Sequence, residues 1–135
     1  MAYKIEGIEG IGPSYGQRLN KAGIKNTDQL LDLCCTPTGR KHVAGRTGLS
    51  EKQLLEWTNM ADLMRVSGVG RQFAELLEAS GVDTIKELRN RNAENLAEAI
   101  RTINEERRLA RATPSVSMVS TWITQAKKTD PKLSY

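Results

Sequence analysis

Apolar positions along this chain recur at spacings of three and four rather than two, and the pattern predicts helices throughout. Residues 13–22 place Tyr15, Leu19 and Ala22 on one face, and residues 71–80 do the same with Phe73, Leu77 and Ser80. Pro13 stands where a first-turn proline is tolerated, and Gly23 and Gly81 stand where helices commonly end in the left-handed conformation. "NTDQLLDL" and "DTIKELRN" predict two further helices, with Asn26 or Thr27 and Asp83 or Thr84 as N-caps. The first half then continues with a short helix over 38–46, a turn at "TGLS", and a long helix over 50–64 whose stripe is Leu54, Trp57, Ala61 and Met64. In the second half one longer helix over 93–111 turns Leu96, Ile100 and Ile103 inward, and a last helix carries Val116, Val119, Trp122 and Ala126. Apart from a hint in "YKI", nothing alternates as a half-buried strand would.

The same pattern occurs twice. A shift of 58 positions superposes Gly10, Ile11, Gly12, Tyr15, Leu19, Gly23 and Leu30 on Gly68, Val69, Gly70, Phe73, Leu77, Gly81 and Leu88 without a gap. A shift of 65 sets Ser50, Leu54, Trp57 and Ala61 over Ser115, Val119, Trp122 and Ala126. The expected architecture is therefore all-α, two units of about 60 residues packed as one compact helical domain. The first unit is expected over 1–66 and the second over 67–127, with the polar stretch 128–135, broken by Pro131, as a tail.

Composition changes this picture mainly by exclusion. The chain has 135 residues, a length for one ordinary domain rather than an elaborate enzyme. Aromatics are 4% of residues, so the core must be aliphatic and the stacking platforms of single-strand binders are missing. Lys and Arg number 20 against 16 Asp and Glu, a mild excess that tolerates a nucleic-acid partner without demanding one. With no long apolar run and no signal-like start, the expected address is the cytoplasm, with no membrane contact.

Candidate chemistry is sparse. Cys34 and Cys35 are adjacent and His42 is the sole histidine, a set unsuited to a tetrahedral metal or to a Cys/His catalytic pair, so free thiols, no metal and no cofactor are expected. "TGRKHVAGR" lacks the full pattern of a nucleotide loop but offers Arg40 and Lys41 near a helix start as a candidate anion site. Arg107, Arg108 and Arg111 close a helix and read as a solvated cluster complementing its dipole. The two glycine pairs remain: Gly10, Ile11 and Gly12, and Gly68, Val69 and Gly70, each directly before a helix. Their aliphatic middle residues are expected in the core.

These residues resemble the helix-hairpin-helix motif of DNA-repair and recombination proteins such as NAD-dependent DNA ligases and Holliday-junction binding subunits. From "IEGIGP" to "TPSVSMVSTWITQAK" the chain is similar to a bacterial family of duplicated helix-hairpin-helix proteins of unknown function. The resemblance implies that paired glycines leave backbone N–H groups facing outward at a helix start, where the helix dipole favours a phosphate oxygen and no base is read. The pattern of the DNA binders also implies a basic residue just after the second glycine. Ser67 and Arg71, with Gln72 following, suit the second hairpin, and Arg65 precedes it; the first offers Pro13 and Ser14, with Glu6 and Glu9 nearby. The expected function is non-enzymatic, sequence-independent binding of DNA, duplex or branched. A protein-interaction or oligomerisation scaffold built from the same hairpins is the alternative, and no nucleophile with an adjacent base argues for an enzyme.

Overall fold

Ser, Thr and Asn punctuate the chain, and most helices start on one of them. The computed structural model describes residues 2–135, and among these it has eight α-helices and no strand. They are α1 (Gly12–Lys21), α2 (Thr27–Cys34), α3 (Pro37–Thr47), α4 (Glu51–Leu63), α5 (Arg71–Ala79), α6 (Ile85–Leu88), α7 (Ala93–Arg107) and α8 (Val116–Lys128). Asn26, Thr36, Ser50, Thr84, Asn92 and Ser115 cap six of them, each side chain accepting a backbone N–H of the first turn. Ser50 forms a reciprocal capping box with Gln53. A short 3-10 turn, Ile5–Gly7, precedes α1, and the "YKI" hint resolves to one isolated antiparallel bridge between Lys4 and Asn26.

The helix expected to run to residue 111 stops at Arg107. Arg108 is left-handed (φ 52°, ψ 48°), and the Asn104 amide folds the following loop back by accepting from Ala110 N at 2.9 Å and donating to Ala110 O at 3.0 Å. That clasp supplies partners that another helical turn would have supplied, so the chain leaves the helix axis.

α4 packs on α2 and α3 on one side and on α5 on the other, while α5, α6 and α8 meet α7 or one another in the second half. One aliphatic core runs through both halves, including Ile11, Leu19, Leu30, Leu54 and Leu63 with Val69, Leu77, Leu88, Ile100 and Val119. Asp62, buried near the end of α4, ties the halves together. Its Oδ1 accepts from Arg65 Nη1 at 2.9 Å and its Oδ2 accepts from the backbone N–H of Ile85 at 2.8 Å, so both oxygens of a buried carboxylate are satisfied.

After α8 the last residues run back over the first half. Arg65 Nη2 donates to Asp130 O (3.0 Å), Ser134 N donates to Cys35 O (2.8 Å), and Lys132 pairs with Asp32 (3.5 Å). Arg89 donates to the carbonyls of Ala126 and Thr129, closing the end of α8. Among the described residues no helix is long and apolar enough to cross a membrane.

Two glycines of α3 should respond oppositely to alanine. A Cβ on Gly39 would stand 2.1 Å from the Leu33 carbonyl oxygen, whereas one on Gly45 meets nothing within 4 Å. Gly39→Ala is expected to destabilise by roughly 1–3 kcal/mol or more, and Gly45→Ala to stabilise by about 0.5–1 kcal/mol through helix propensity. Urea unfolding of both variants checks the pair; equal signs would refute the packing described for α3.

Candidate functional site

Each glycine pair makes a turn with a buried aliphatic centre. Ile11 and Val69 are in the core, and the first glycine of each pair is left-handed, Gly10 at φ 91° and Gly68 at φ 89°. The second glycines differ. Gly12 is left-handed at φ 62°, but Gly70 is extended at φ −92°. Positive φ at both glycines thus holds for the first hairpin and not for the second.

Over each turn lies a tryptophan. Trp57 packs against Tyr15 with ring centroids 5.3 Å apart and planes at 52°, and Trp122 packs against Phe73 at 5.2 Å and 51°. Their indole nitrogens stand over the left-handed glycines, 3.6 Å from where a Cβ on Gly10 would be and 3.5 Å from one on Gly68. Trp57 and Trp122 are 5% and 2% exposed, yet Ser80 Oγ is the one fully shielded side-chain polar atom without a partner among the described residues. Among the described residues neither indole N–H has a protein acceptor, so both remain donors at the turn. The apolar stripes place these tryptophans in the core, and their shared offset of 65 marks them as equivalent.

The two helices that follow the glycine turns are also the two without a side-chain cap. Val69 N is satisfied by Val66 O, and Ser67 N by Gln125 Oε1 at 2.9 Å, which leaves Ser67 its hydroxyl. The first helical bond of α5 is Ala74 N to Gly70 O at 2.9 Å, and among the described residues the backbone N–H groups of Gly70, Arg71, Gln72 and Phe73 have no protein acceptor. Gly68, Arg71 and Gln72 are exposed, and Gly68, Gly70, Arg71, Gln72 and Phe73 surround a shallow open depression. Gly12 and Ser14 are exposed on the first turn.

Charge around the turns is mixed. Arg71 Nε donates to Glu9 Oε2 at 2.6 Å and its Nη2 meets the same oxygen, with the side chains 53% and 43% exposed. This pair joins one hairpin to the other. Beside it, Glu9, Glu56, Glu75, Glu78 and Asp83 line neighbouring depressions along α4 and α5. Burial, then the Glu9 carboxylate, holds Glu75 above the ordinary carboxylate range; burial, then Glu56 and Asp83, does the same for Glu78.

The remaining candidates sit elsewhere. Arg40 is 5% exposed, with Nη1 donating to Cys34 O (2.9 Å) and Nη2 to Ser134 O (2.8 Å), and the first turn of α3 is already capped by Thr36. The structure therefore corrects the reading of Arg40 as an anion ligand: its partner Ser134 lies 94 residues away, and only Lys41 is exposed there. Arg65, expected to furnish the second hairpin, is likewise held by Asp62 and Asp130. Both cysteines are free thiols, and burial pushes Cys34 up to about 11. No group of three or more His, Cys, Asp and Glu could hold a metal ion among the described residues.

A family match covers residues 9–129, both hairpins included. The chain belongs to the DUF4332 family. That family is described as a domain of unknown function. No curated protein and no solved structure matches the chain. In this DUF4332 domain the match takes in the hairpins, both tryptophans and the Glu9–Arg71 pair.

The backbone geometry separates the glycines. Gly70→Ala is expected within about 0.5 kcal/mol of the parent, since its φ suits any residue and no atom lies within 4 Å of the new Cβ. Gly68→Ala is expected to cost about 1–2 kcal/mol by forcing a side chain into the left-handed region. Chemical denaturation of the two variants decides this.

The acidic face has a pH signature. A carboxyl whose folded pKa lies above its unfolded one opposes folding while ionised, and the penalty is relieved as pH falls through the folded value. Glu78→Gln is therefore expected to raise Tm at neutral pH, with the gain shrinking as the pH approaches about 4.3, the unperturbed Glu value. A gain independent of pH in thermal melts would refute the assignment.

Proposed function

We propose that the chain is a tandem helix-hairpin-helix domain that binds the nucleic-acid backbone without reading sequence and without catalysing a reaction. The units are 1–66 and 67–127, and DNA, duplex or branched, is the partner. One observation carries the reading: of eight helices, the two that begin at glycine turns are the two with no side-chain cap, and a free indole N–H supplements each. Such N-termini present several donors and a partial positive charge to one oxyanion.

The second hairpin is the principal grip. Arg71 stands at the first position of α5, half exposed, and Glu9 holds it until a phosphate takes the carboxylate's place. Glu9 thus opposes binding twice, by occupying Arg71 and by repelling the incoming charge. The first hairpin, with Pro13 in place of a cation and Glu9 within it, contributes less.

The acidic residues Glu56, Glu75, Glu78 and Asp83 favour a second reading, a scaffold for a basic protein partner. A pull-down separates the two, because recovery of the same partner after nuclease treatment supports the scaffold.

Fluorescence anisotropy with duplex, branched and single-stranded DNA at low and high salt tests the main reading. Arg71→Glu is expected to weaken binding about tenfold or more and to lower the salt slope by about one. Ser14→Glu should have a smaller effect, and Glu9→Gln should tighten binding. No binding at low salt, binding indifferent to salt, or equal effects of Arg71→Glu and Ser14→Glu would overturn it.

A further inference from the structure

The end of α7 builds a second basic feature, away from the glycine turns. Arg101 and Asn104 on α7, Arg108 at its C-cap and Arg111 and Thr113 in the loop that follows line an open cleft of about 830 Å³, with Glu105 as its one acid. The Asn104 clasp on Ala110 brings the loop arginines back beside Arg101. Arg108 is the single non-glycine residue with positive φ among those described. Left-handed backbone is unfavourable for a side-chain-bearing residue and persists only where its surroundings impose it.

No guanidinium of Arg101, Arg108 or Arg111 makes an ion pair or a hydrogen bond to a protein group among the described residues, although the Arg108 backbone N–H donates to Asn104 O. Arg40, Arg65, Arg71, Arg89 and Arg91, in contrast, all do. The carbonyl end of α7 offers about half a negative charge, and Glu105 adds one carboxylate. Three guanidiniums exceed both together. Gathering like charges with too little compensation is unfavourable in the free protein and becomes favourable when an anion of matching charge arrives. Because the clasp fixes the loop, little ordering remains to oppose that arrival.

We propose that this cleft is a phosphate-binding site, distinct from the hairpins, for a ligand presenting two neighbouring phosphates. Planar guanidiniums pair bidentately with phosphate oxygens, and an excess of roughly one and a half positive charges, three guanidiniums against Glu105 and the helix end, suits such a group better than a single carboxylate. Consecutive phosphates of a nucleic-acid backbone and a free diphosphate share this chemistry. The site does not depend on the hairpin reading.

Isothermal titration of the full chain with inorganic pyrophosphate is the test. The parent should bind, and the Arg101→Gln/Arg111→Gln double variant should lose at least tenfold in affinity at this site with a Tm no lower than the parent's, both positions being exposed. Arg71→Glu should not reproduce that loss, which separates this site from the hairpins. A DNA duplex arm identifies the source: a salt slope reduced by about two in the double variant assigns the cleft to the backbone, and a change with pyrophosphate alone assigns it to a free ligand. No binding by the parent, equal binding by the double variant, or citrate binding as tightly as pyrophosphate would overturn the proposal.

Discussion

A tryptophan lying over a left-handed glycine is the constraint on which the rest of this structure depends. At Gly10 and Gly68 the chain reverses with positive φ while an indole nitrogen sits at van der Waals distance from the missing Cβ. The same indole stacks on the aromatic residue of the following helix, Tyr15 or Phe73, so one ring sets both the turn and the direction of the helix leaving it. Trp57 and Trp122 come from α4 and α8, the last helices of their halves, and each half closes only when its final helix returns to its first turn. In the second half Trp122 follows Gly68 by 54 positions, against 47 from Gly10 to Trp57, and α7, with 15 residues against 11 in α3, absorbs part of the difference without disturbing the aromatic pair.

That closure has an electrostatic consequence. With a glycine in the turn and an aromatic ring beneath, no hydroxyl or carboxamide stands where a cap would be, and both helix starts keep their donors. The rest of the fold handles charge differently. Arg40, Arg65 and Arg89 turn inward to carbonyls and to Asp62, and together they fasten the C-terminal segment to the body. A formal net charge of +4 therefore overstates how many cations meet an incoming polyanion. On the proposed reading a polyanion would meet few free cations near the glycine turns, Arg71 first, beside the carboxylates Glu9, Glu75 and Glu78.

What the sequence made legible follows the range of the interactions involved. Helix starts at Asn26, Ser50, Thr84 and Ser115 were readable because a cap acts over three residues. The two matching glycine turns with their tryptophans were readable because the glycines recur at an offset of 58 and the tryptophans at 65. The end of α7 was not, since a left-handed arginine carries no compositional mark and the Asn104 clasp competes with a helix pattern that runs on into Leu109. Arg40 was misread because its environment is made by Ser134 at the far end of the chain.

The unequal hairpins then make sense as one device rather than as a good copy and a poor one. The first turn projects Glu9 toward the second, where it neutralises Arg71 and raises the pKa of Glu75. An exposed ion pair of this kind contributes about 0–1 kcal/mol, little enough for a phosphate with several amide donors to replace the carboxylate. A single carboxylate elsewhere, such as an acidic side chain of another protein, would gain no comparable advantage over Glu9. If the hairpin binds as proposed, the pair would set a threshold on ligand charge, keeping the helix start closed to weak anions and yielding it to those that the indole N–H and the main-chain donors grip together.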